Sequence, residues 1–183
     1  GDLVWTLHRG WQPLRARHVQ RISASAQKAK PTLRPIRIAA GSLGPYIPER
    51  PLVVSRQHRI YLNSGENIAV VGSGVLAAAC ALTDLPGISV CDCAVDITYV
   101  HLAFDHHEVV CAEGCLSESF FRGAQALAAL PPILAATYTK GQGGRETPAA
   151  PFLSQKEARR HVARAQRKGA PLQEMPRRLE ASA

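Results

Sequence analysis

Long apolar runs are missing from this chain. No stretch reaches the roughly 18 residues a membrane-spanning helix needs, and the nearest candidate, residues 70–82, is interrupted by Gly72 and Gly74. No membrane span is expected. Aromatic residues make up only 5% of the sequence, so any core must be built from aliphatic side chains. Neither CxxC nor a paired HxxxH occurs, which removes the zinc-ribbon and zinc-finger classes. The five cysteines, Cys80, Cys91, Cys93, Cys111 and Cys115, are an odd number, which argues against a full disulfide framework. No internal repeat is present. The chain opens on Gly1 without a Met or a signal-peptide pattern, which leaves localisation open.

What is present suits a β-rich domain. A chain of 183 residues can bury a core large enough to fold without metal or disulfides. Short β-like segments separated by Gly, Pro and Asn fill the first 120 residues. The pattern predicts strands at 3–7, 12–22, 36–39, 52–54, 59–62, 68–71, 95–104 and 108–112. The Ala-rich run 75–82 reads as a short helix, and the polar stretch 23–35 as a variable excursion between strands. Residues 122–138 form a helical segment, 139–150 a Gly/Pro-rich linker, and 151–183 a basic tail. The formal charge of +8 is concentrated in that tail, where eight basic residues face three acidic ones. Ser154 and Glu157 have the spacing of a capping box, and the helix they start should end at Gly169. Its apolar stripe, Ala158, Val162 and Ala165, is thin, so the tail reads as a solvated helix or arm. It is also a candidate contact for nucleic-acid phosphates.

Two blocks carry chemistry. Residues 54–62 read VSRQHRIYL, and residues 100–119 read VHLAFDHHEVVCAEGCLSES. Together they resemble the Hint family, the hedgehog and intein self-processing domains. They resemble in particular its bacterial branch, in which an SPxHxV strand is followed later by HxxxDxHxVxxAEGxxxES. The resemblance covers residues 1–121. It implies an all-β, horseshoe-like fold of short strands with a short C-terminal helical tail. It also implies self-processing: the thiol or hydroxyl that follows a peptide bond attacks that bond in an N-to-S or N-to-O acyl shift. No cofactor or metal is implied, the substrate is the protein's own upstream segment, and an external thiol or water accepts the acyl group. Imidazole suits the proton donor to the departing amide nitrogen. By resemblance to the family's Thr-x-x-His motif, that donor is His58, with Ser55 positioning the scissile bond. His107 leads the next matching strand as an assisting residue, and His101 stands where inteins place Asp or Asn. Asp105 could orient an imidazole or be an exposed turn carboxylate.

The departures from the family pattern bound the reaction. Splicing inteins end this region in His-Asn, whereas here Glu118-Ser119 stands in that place. Without the Asn no succinimide can form, so cleavage or transfer is expected and ligation of flanking segments is not. Gly1-Asp2-Leu3-Val4 resembles the family's GDxV turn, which lies some two dozen residues after the nucleophile. The chain is therefore read as lacking its first strands and as inert in this form. Two other readings stand beside this one: a silent Hint-like scaffold that binds through its basic tail, and a metal-dependent enzyme drawing on Cys91, Cys93, Cys111, Cys115, His101, His106 and His107. Reduced, partly buried thiols are the simpler reading of the cysteines.

Overall fold

A computed structural model of the chain describes residues 1–63, 74–92, 95–123, 127, 135 and 146–175. The domain is all-β, with antiparallel sheets and a C-terminal helix. The largest sheet has the order β2-β1-β10-β11-β6-β7, built from β1 (Leu3–Thr6), β2 (Gly10–Pro13), β6 (Arg59–Leu62), β7 (Val75–Ala78), β10 (Val109–Ala112) and β11 (Cys115–Glu118). A two-stranded ribbon pairs β3 (Ala16–Ile22) with β9 (Ile97–Ala103), and a third sheet orders β5 (Leu52–Val54), β4 (Ile36–Ile38) and β8 (Ile88–Val90).

The expected strand 12–22 is two strands in different sheets. Pro13 has no N–H to continue a ladder. The chain then changes partner within two residues, with Leu14 N–H donating to Asp2 O at 2.8 Å and Arg15 N–H to Ala103 O at 2.9 Å. The run 75–82 is not a helix: 75–78 is strand β7 and Ala79–Ala81 a single 3₁₀ turn. A short apolar run does not distinguish helix from doubly buried strand by periodicity, and here pairing with β6 decides, in the register Leu62↔Val75 to Arg59↔Ala78. The alanines serve packing, because they let a helix approach the other face of β7 closely. Ser23 caps a helix, α1 (Ala24–Ala29), inside the stretch expected to be irregular. Strands β8 and β11 were not anticipated, and the expected strand 68–71 lies outside the described residues, as does most of 122–138.

The C-terminal helix α2 (Gln155–Lys168) begins at a complete Ser154/Glu157 capping box and stops at Gly169, whose φ of 63° suits glycine. Its three apolar positions do not lie solvated. Ala158, Val162 and Ala165 are all buried in the principal core with Ile36, Ile60, Leu62, Ala77 and Leu82. The chain beyond the helix returns to the body of the domain, where Leu172 and Gln173 N–H groups donate to Leu43 O, in the loop between β4 and β5, at 2.8 and 3.0 Å. A second cluster of Leu7, Tyr61, Leu76, Val109, Leu116 and Ala150 fills the space between the large sheet and residues 149–152. No helix among the described residues is long and apolar enough to cross a membrane.

Candidate active site

The block Ser55-Arg56-Gln57-His58 is the turn between β5 and β6. His58 N–H donates to Ser55 O at 3.1 Å, so the three-residue spacing closes one hydrogen-bonded turn and brings Ser55 and His58 together. The turn is held from the other side by Ala79 N–H, which donates to His58 O at 2.9 Å, and Cys80 N–H, which donates to Arg56 O at 3.0 Å. His58 is part-buried, and burial lowers its pKa. Arg59 and His107 push the same way, while Glu118 opposes them.

His101 comes from the middle of β9, opposite His18 on β3, and their rings stack with centroids 5.9 Å apart. Burial, with His58 and His18 nearby, brings its pKa down to about 4. It is neutral at physiological pH. His107 leads into β10 and is closed off from solvent. Its Nδ1 accepts the Ala149 N–H at 3.0 Å, which places the neutral ring's proton on Nε2. That Nε2 faces Glu118 Oε2 at 3.5 Å, long for a hydrogen bond. Phe121 and Phe152 pack edgewise on the imidazole at 5.0 and 5.9 Å. The three expected histidines therefore form one cluster, but His107 contacts protein through both ring nitrogens. Asp105 does not serve as a buried orienting group. It is exposed and forks to Arg15, with its nearer contact at 2.7 Å.

Sequence reading missed the centre of this cluster. Glu118, at the end of β11, is only 8% exposed. Its Oε1 accepts the Arg59 N–H at 2.9 Å and its Oε2 lies 3.3 Å from Arg59 Nη1. Burial alone would raise its pKa, but the His107 contact and the neighbouring His58 and Arg59 outweigh burial and hold it below the usual carboxylate range. The available signal was register: Glu118 follows buried Leu116 at a spacing of two and so shares its face of the strand. Nearby, buried Glu108 pairs with Arg9 at 2.7 Å. A cleft of about 280 Å³ lies beside His107, lined by His8, Arg9, His106, Arg122 and residues 146–149.

A protein-family model described as the Hint domain matches residues 1–124. This chain belongs to the Hint family. No curated protein and no solved structure matches it. Hint domains are self-processing, and the two blocks that suggested the family both fall inside the match. Among the described residues, the cysteines depart from the reduced reading at Cys91, which is disulfide-bonded, whereas Cys80, Cys111 and Cys115 are free. Cys93 lies outside the described residues. Among the described residues, no three His, Cys, Asp or Glu side chains converge as a metal site.

Proposed function

We propose that this Hint domain releases an upstream polypeptide from itself by an acyl shift, with His58 carrying the proton. A Cys thiol or Ser hydroxyl directly following the scissile bond attacks the preceding carbonyl carbon. Neutral His58 accepts the proton it loses. As the tetrahedral intermediate collapses, the C–N bond breaks and the His58 imidazolium returns the proton to the departing amide nitrogen. The resulting thioester or ester is then cleaved by water or an external thiol. The observation that carries this reading is the lowered pKa of His58 in a turn fixed by backbone hydrogen bonds on both sides. A histidine that is neutral at pH 7 is available as a base, and its conjugate acid is then a strong donor.

Ser55, one turn of backbone away, positions the scissile bond through its hydroxyl. His107 acts on the cluster without touching the reacting atoms, since Ala149 and Phe152 cover it, and His101 assists from β9. Glu118-Ser119 in place of His-Asn limits the reaction to cleavage or transfer. Replacing His58→Ala in the precursor should block cleavage while leaving the fold intact; normal processing by the variant would refute the assignment.

A second reading, a silent scaffold that binds polyanions, draws on helix α2. Docked by its apolar stripe, it turns Lys156, Arg159, Arg160, Arg164, Arg167 and Lys168 outward. Binding of that kind would weaken steeply with added salt.

A further inference from the structure

The carboxylate of Glu118 is bonded to the peptide that follows His58. That peptide is pinned at both of its polar atoms: His58 O accepts from Ala79 N–H at 2.9 Å, and Arg59 N–H donates to Glu118 Oε1 at 2.9 Å. Glu118 comes from β11, more than fifty residues away in sequence, where β11 and β6 meet in a single registered pair, Ser117↔Ile60. Its other oxygen faces His107 Nε2 and the Arg59 guanidinium. One buried carboxylate thus joins the His58 turn to the His107 loop.

We infer that Glu118 is a positioning residue for the processing reaction, holding the His58 backbone through Arg59 N–H and supplying the negative charge that stabilises the His58 imidazolium. The inference rests on the role proposed for His58 above. The groups facing this carboxylate are His58 and Arg59 from the β5–β6 turn and β6, His107 from the β9–β10 loop, and His101 from β9. Arg59 is the only permanently charged cation of the four. With Glu118 in place, the Arg59 charge is largely balanced and a proton on His58 adds one net positive charge. Without Glu118, that proton enters a site already holding an uncompensated guanidinium. The lowered pKa of His58 sets the level at which this balance operates, and Glu118 opposes the lowering.

Two variants separate charge from architecture. Glu118→Gln keeps an oxygen to accept the Arg59 N–H but removes the charge. Arg59→Gln keeps the N–H and removes the cation. The His58 titration midpoint, read by NMR on the folded chain, should fall by about one pH unit in Glu118→Gln and rise in Arg59→Gln. In the precursor, Glu118→Gln should cut the plateau cleavage rate about tenfold and move the acid limb of the pH profile to lower pH with the midpoint. A purely structural role would lower the plateau and leave the limb in place. If Glu118→Gln does not fold, Glu118→Asp, which keeps the charge but draws it back by one methylene, should lower the His58 midpoint in the same direction by a smaller amount, and an unmoved midpoint in that variant overturns the role. A wild-type precursor that never cleaves overturns the processing reading itself. A precursor that cleaves, with a His58 midpoint unmoved by Glu118→Gln and Arg59→Gln or moved the same way by both, overturns the role of Glu118 alone.

Discussion

Gln173 should be among the costliest single truncations in the chain. Its side chain is fully buried between two strands that share little ladder of their own. Nε2 donates to Leu116 O at 2.9 Å and also to Tyr61 O, while Oε1 accepts the Leu116 N–H at 2.8 Å. One amide from the segment after α2 therefore completes the hydrogen bonding between β6 and β11. Gln173→Ala removes all three bonds and strands three buried backbone groups. At about 1 kcal/mol net per bond, with a further penalty of roughly 1–3 kcal/mol for buried groups left unpaired, the gross loss is about 4–6 kcal/mol. Freedom regained by not fixing a Gln side chain returns up to about 2 kcal/mol. The expected net destabilisation is about 2–6 kcal/mol, a large fraction of an ordinary domain's stability. Urea unfolding should show it as a lower midpoint with an unchanged slope. A loss below about 1 kcal/mol would refute the claim that residues 172–173 are integral to the sheet, because that is the scale of a single exposed hydrogen bond.

Acidification should destabilise the fold well before its carboxylates are protonated. His101 has a folded pKa of about 4 against an ordinary value of 6.5, and His58 and His8 are lowered in the same direction by burial. Between those values the unfolded chain binds more protons, so stability is full above the ordinary histidine range and falls as pH drops toward 4. A urea midpoint that is flat across that range would contradict the burial of these rings. Gly74→Ala should cost about 1–3 kcal/mol, because the new Cβ would lie 2.2 Å from the ring of Tyr61, itself buried and hydrogen-bonded to Gly74 N–H. Thermal unfolding of the variant against wild type checks this, and an unchanged Tm would show that Tyr61 has room to move.

The parts of the fold legible in the sequence were those fixed by local chemistry. The α2 boundaries follow from Ser154, Glu157 and Gly169, whose side chains or backbone freedom act within one turn. Strands β5 and β6 and the turn between them follow from alternation and a short polar break. The run 75–82 was illegible because its alanines favour helix intrinsically, while the pairing that makes 75–78 a strand comes from β6 and the reason for its small residues is α2, both distant. The burial of α2's stripe was illegible for the same reason: three apolar positions look insufficient until their partners are known. Within the candidate site, the family motifs located Ser55, His58, His101 and His107 together. Glu118 stood out in the sequence as part of the family motif and as a departure from the His-Asn ending, and its register with Leu116 points to a buried position, but its bond to a backbone N–H leaves no mark on the sequence.

The central claim is self-processing, and the most direct test is the intact mass of the full-length precursor before and after incubation with a thiol. Two fragments, with the cut immediately before a Cys or Ser and the upstream product leaving as a thioester or acid, are the predicted result. A single unchanged mass from protein shown to be folded would contradict the account and turn attention to the cationic face of α2.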